Sequence, residues 1–89
     1  MRRIREHAQF HRDLRRQRRR GRNIEELIAV VELLVEAGTL PDGYNPHPLS
    51  GEWKGVLECR IESDWLLIYE ATPDEILLIR TGTHRDLFG

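Results

Sequence analysis

The 89-residue chain holds 14 Lys and Arg against 15 Asp and Glu, a net charge of −1 with four histidines counted as neutral. A single cysteine, Cys59, excludes an internal disulfide framework and a cysteine-based zinc site. No apolar run approaches the roughly 18 residues that cross a bilayer, and 89 residues are enough for one domain of modest core, spanning 1–89.

The near-neutral balance hides an asymmetry that begins at the N-terminus. Residues 1–22 contain ten Arg against Glu6 and Asp13, a local charge of +8, whereas residues 23–89 sum to −9. All ten cations are Arg, whose planar guanidinium grips a phosphate or carboxylate with two parallel hydrogen bonds. Ten of them in 22 residues point beyond a merely solvated face to RNA or an acidic protein partner. The N-terminus has no apolar stretch of the kind a signal peptide needs, and the lone cysteine fits a reducing, cytoplasmic setting.

In chain order, RRIRE (2–6) is compatible with a short edge strand. From His7 to Arg20 the residues favour a helix with a thin apolar stripe, Phe10 and Leu14. Gly21 breaks it. Asn23 followed by Glu26 resembles a capping box. The next helix carries Ile24, Leu27, Ile28, Val31, Leu34 and Val35 at helical spacing on one wide face, broadened by Val30 and Leu33, and Gly38 closes it. Two antiparallel helices joined by a glycine turn follow. LPDGYNPHPLSGE (40–52) reads as a shaped loop stiffened by Pro41, Pro46 and Pro48, with His47 held between two of them.

The rest reads as strands. WKGVLECRI (53–61) alternates, with Leu57, Cys59 and Ile61 on one face and Val56, Glu58 and Arg60 on the other. Glu62-Ser63 is the expected turn, and Asp64 begins the next strand. DWLLIYE (64–70) is apolar on both faces, the mark of a central strand. ATPD turns the chain into EILLIR (75–80), and a Thr-Gly-Thr turn precedes His84. The expected class is α+β: two helices packed on one face of a three- or four-stranded antiparallel sheet. With the helices on one face, the other carries Glu58 and Arg60. His47 enters from the proline-rich loop, and Arg80 delivers His84 and Phe88. Taken singly, each of these is as readily a solvent-facing, turn or core residue; their convergence is the signal.

HPLSGEWKGVLECRIESDWLLIYE, followed by LIRTGTHRDLF, resembles the YafQ branch of the RelE-like type II toxins, the bacterial mRNA interferases. The resemblance covers Leu40 to Gly89 in motif and the N-terminal part in element type only. It implies a RelE-like fold and an endoribonuclease that cuts messenger RNA in the ribosomal decoding site without metal or cofactor. In that chemistry the substrate 2′-hydroxyl attacks the adjacent phosphate. It further implies an acidic RelB- or DinJ-like antitoxin, bound in a toxin–antitoxin hetero-oligomer. The family's catalytic positions fall on His47, Glu58, Arg60, Asp64, His84 and Phe88. Arg60 stands where the pattern usually has His, and Ser63 where it usually has Pro.

Arginine stays protonated to about pH 12, so Arg60 stabilises charge and does not shuttle protons. His47 and His84 must then divide the acid and base roles, oriented by Glu58 or Asp64, with Arg60 held by Glu58 toward the phosphate. Arg80 is the expected second cation and Phe88 the stacking ring. Arg12, Arg15, Arg16, Arg19 and Arg85 are the candidates for contact with RNA. Two rivals stand beside this reading. One is a non-cleaving toxin or binding protein on the same fold, gyrase-directed or catalytically weakened. The other is a metal site built on His7 and His11.

Overall fold

The computed structural model describes all 89 residues. The strands are β1 (Arg3–Glu6), β2 (His47–Pro48), β3 (Leu57–Glu62), β4 (Trp65–Ala71) and β5 (Glu75–Gly82), and the helices are α1 (Ala8–Arg19), α2 (Ile24–Ala37) and α3 (His84–Phe88). The strands form one sheet in the order β1-β5-β4-β3-β2. The class is α+β, with two differences from the expected sheet. It has five strands, and β1 pairs parallel to β5 while every other pair is antiparallel. A parallel neighbour needs a long crossover, here almost the whole chain, which local sequence cannot reveal.

β4 is central, and all of Trp65–Tyr69 is buried. Its alternation serves two cores. Trp65, Leu67 and Tyr69 join Phe10 of α1 and Leu27, Val30, Val31 and Leu34 of α2. Leu66 and Ile68 on the opposite face meet only Leu87, with Leu49, Trp53, Val56 and Ile79 around them. That thin second cluster leaves room beside it for a polar site.

Local details differ from the sequence expectations in instructive ways. The α2 face is turned, so that Val30 is fully buried while Ile28 and Leu33 lie exposed. Asn23 accepts the Glu25 N–H, but Glu26 does not close a capping box. Gly38 ends α2 at φ 76, and Arg2 fills the space beside it. The Arg2 guanidinium donates to the carbonyls of Val35 and Glu36, satisfying α2's last turn, while its Nε donates to Thr72. β3 begins at Leu57, because a short 3-10 turn occupies Gly51–Trp53. The turn into β4 is Ser63-Asp64, with Asp64 at φ 48, a conformation Asp tolerates better than most residues. β5 runs on through Thr81 and Gly82, so the expected Thr-Gly-Thr turn is strand followed by Thr83 as the cap of α3.

Helix α1 differs most from expectation. Its inward face is Phe10, Asp13 and Gln17, two of the three polar, all buried. Asp13 accepts from Arg80 Nε at 2.6 Å and Nη2 at 3.2 Å, from the Thr81 N–H at 3.1 Å and from Gln9 at 3.1 Å. The buried carboxylate is therefore matched by a guanidinium and two further donors, the condition under which such a charge is tolerated.

Candidate active site

On the side of the sheet away from the main core, a cleft of about 230 Å³ is lined by Asn45, His47, Glu58, Arg60, Leu66 and His84. Four of the six residues expected to act together therefore share one cavity. Three different local structures deliver them. Asn45 adopts a left-handed conformation that turns the proline-rich loop into β2, where His47 pairs with Glu58 and Pro48 with Leu57. This two-residue ladder makes part of the expected loop a fifth strand. Arg60 lies opposite Leu66, just before an irregularity in the β3–β4 register. His84 enters from the first position of α3.

The two histidines are held differently. His47 Nδ1 lies 2.7 Å from the Asn45 carbonyl oxygen, and Nε2 lies 3.3 Å from Glu58 Oε1. A carbonyl only accepts, so Nδ1 carries a hydrogen. Nε2 then faces the Glu58 carboxylate. Glu58 is 5 % exposed, and its Oε2 has no hydrogen-bond partner. His84 Nδ1 lies 3.1 Å from Asp64 Oδ1, which also accepts the His84 backbone N–H at 3.0 Å. These bonds, the backbone one first, hold the Asp64 carboxyl below its ordinary range. Donation through Nδ1 leaves the His84 Nε2 lone pair free.

Arg60 is exposed, and its side chain makes no hydrogen bond or ion pair with the protein. The expected Glu58–Arg60 pair is absent, because Glu58 is engaged by His47. Arg80 is removed from the list of available cations for the same kind of reason, since its guanidinium is bound to buried Asp13. Phe88 does not line the cleft. It is 46 % exposed, 6.3 Å from the His84 ring and edge-on to Trp53 at 6.1 Å. Of the other expected RNA contacts, Arg16 pairs with Asp86 at 3.6 Å and Arg12 is bonded to Gln9 within α1. Arg15, Arg19 and Arg85 are exposed and carry no ion pair. His7 precedes α1 without a side-chain bond to it and His11 meets Glu6 at 3.1 Å; neither lines the cleft. Burial pushes the Cys59 thiol up to about 12, which makes it inert.

Several residues that shape the site escaped sequence reasoning. Arg22 donates to Glu62 and to the carbonyls of Ser63 and Asp64, and lies over the Trp65 ring at 5.4 Å. It fixes the turn that carries Asp64. Trp65 in turn donates its Nε1–H to Thr81 Oγ1, which donates to the Leu66 carbonyl. The Thr83…Asp86 spacing was a readable capping signal, and it forms a complete capping box.

Residues 2–89 match the family described as the bacterial toxin of type II toxin–antitoxin systems, YafQ. The mRNA interferase toxin YafQ of Escherichia coli strain K12 is 37% identical over 83 residues, covering 92% of this chain and 90% of its own. The crystal structure of YafQ from E. coli strain BL21(DE3) superposes with a TM-score of 0.92 at 36% identity over the whole of both chains. The toxin in the E. coli DinJ–YafQ complex gives 0.90 at 37% identity, again over both full chains.

Proposed function

Since the chain belongs to the YafQ family of type II toxin–antitoxin toxins, we propose that it is a ribosome-dependent mRNA endoribonuclease of the cytoplasm, restrained by an acidic antitoxin of the DinJ type. The observation that carries this reading is the cleft itself. Two imidazoles, one hydrogen-bonded to Asp64 and the other 3.3 Å from the Glu58 carboxylate, line one cavity with a guanidinium that no protein group neutralises.

The reaction is a transfer within the RNA. The 2′-oxygen attacks the adjacent phosphorus, the bond from phosphorus to the 5′-oxygen breaks, and the products carry a 2′,3′-cyclic phosphate and a 5′-hydroxyl. His84 Nε2 takes the proton of the attacking hydroxyl, with Asp64 stabilising the imidazolium that forms. His47, as imidazolium beside Glu58, gives its Nε2 proton to the leaving 5′-oxygen. Arg60 stabilises the charge that accumulates on the phosphorane, where a fixed cation is most effective. Phe88, next to His84 and half open to solvent, presents a ring to a base. Arg12, Arg15 and Arg19 of α1, none of them in an ion pair, together with Arg85, face ribosomal RNA, or the antitoxin when the toxin is silenced.

The test uses purified ribosomes programmed with a defined message. Wild-type protein cuts the message at defined codons, and His84→Ala lowers the rate by about 10²–10⁴-fold, the usual worth of a general acid or base. Undiminished cleavage by His84→Ala removes the assignment. Inhibition of DNA supercoiling with messages left intact would favour the non-cleaving alternative.

A further inference from the structure

Helix α3 has only five residues, too short to hold itself together in water. It nevertheless carries His84 and Phe88. These stand four residues apart and so share one face, while Asp86 projects roughly opposite. The open face is weakly held: the His84 side chain is 68 % exposed, and Phe88 is about half exposed. Asp64 bonds the ring and backbone N–H of His84 directly, and the rest of α3 is held from its other side.

Asp86 is what lies there, and it is a hub. Its Oδ2 is 2.6 Å from Arg20 Nη1 and its Oδ1 is 3.0 Å from Arg20 Nη2, a two-pronged clamp. Arg16 Nη1 adds a contact at 3.6 Å, and Gln17, fully buried, donates to Oδ2 at 3.5 Å. The Thr83 N–H donates to Oδ2 at 2.9 Å, and the Asp86 N–H donates back to Thr83 Oγ1. Gly82 makes the berth possible. A Cβ there would lie 2.8 Å from Asp86 Oδ2 and 2.9 Å from its Cβ, closer than packed atoms stand. The only apolar anchor of α3 is Leu87.

We propose that Asp86 is a positioning residue for His84: clamped by Arg20, Arg16 and Gln17 of α1 and seated on Gly82, it fixes α3 so that His84 meets Asp64 and faces the cleft. Part of the arginine-rich helix therefore works inside the molecule. Arg16 and Arg20 serve the site through the fold, and the surface left for RNA or antitoxin is correspondingly smaller.

The proposal rests on the cleavage reading for its kinetic arm, so it is tested with a second arm that needs no substrate. In ¹⁵N NMR of the His84 ring, wild-type protein shows Nδ1 as the hydrogen-bonded, protonated nitrogen, and Asp86→Asn loses that signature while the β4 and β5 amides keep their shifts. In the ribosome assay Asp86→Asn lowers kcat at least tenfold and changes KM less than twofold. Gly82→Ala, which alters no charge, does the same. Arg20→Gln follows Asp86→Asn, and Arg20→Lys recovers part of the loss because it keeps the charge but not the fork. An unchanged His84 spectrum in Asp86→Asn overturns the proposal whether or not the protein cuts RNA. A loss confined to KM overturns it too, since that would place Asp86 in binding. If Asp86→Asn fails to fold, Arg20→Gln decides by the same two readouts.

Discussion

His47 reaches the cleft from the sheet, and His84 reaches it from a short helix held by ions. The first is registered by backbone pairing with β3, and its carboxylate partner Glu58 is buried. The second stands on five residues whose anchors are Asp86, Leu87 and the exposed Asp64. One wall is set by backbone pairing and the other by side-chain ion pairs and a capping box, and both must be placed accurately for in-line attack. The comparison also predicts which wall fails first when charge is removed.

The largest effect falls on the wall that α3 carries. His84→Ala abolishes most activity, as above, yet shifts the thermal midpoint by no more than about 2–4 °C, because an exposed side chain contributes little to folding. An equal loss of stability would mean that His84 holds the fold. Next comes the joint between the walls. Asp13→Ala strands the Arg80 guanidinium and the Thr81 N–H, and costs about 3–5 kcal/mol in urea unfolding. A cost below about 1 kcal/mol would show that the ion pair is dispensable to the way β5 lies on α1.

A third effect separates binding from folding. Phe88→Ala weakens RNA binding by about 1–3 kcal/mol, the worth of one stacked base, read as a higher KM with little change in urea midpoint. If stability falls and KM does not, the ring belongs to the packing around Trp53.

The mildest effect is on pH. Arg20 above all holds the Asp86 carboxyl far below the usual carboxylate range, and the His84 N–H groups lower that of Asp64. A carboxyl depressed in the fold adds stability that is present above its unfolded value of about 3.9. That stability is lost as pH falls through the lower folded value. Amides of α3 are therefore expected to lose hydrogen-exchange protection progressively as pH falls below about 4, before those of β4. Simultaneous loss would make the two walls equivalent.

Much of this was legible in the sequence, and the unreadable parts have physical causes. The strongly alternating strands and the Gly38 cap were visible because they depend on near neighbours. The rotated α2 face was not. Ile28 and Val30 are equally apolar, and only the sheet's position buries one and exposes the other. Asp13 and Gln17 look like solvent-facing residues of a charged helix. Their partners Arg80, Thr81 and Asp86 come from 67 to 69 residues later, so nothing local marks them. The same distance explains why Arg80 was expected in the cleft: its charge was legible, its partner was not. His47 and Glu58 were read as neighbours in function, but their strand pairing hid behind two prolines that disfavour a regular ladder.

The account turns on the substrate's own 2′-oxygen as nucleophile, activated by His84. The direct measurement programs ribosomes with two messages that differ only by a 2′-deoxy nucleotide at the cut site. The account predicts that the ribonucleotide message is cut to leave a 2′,3′-cyclic phosphate and that the deoxy message stays whole. Cleavage of both at similar rates would contradict it.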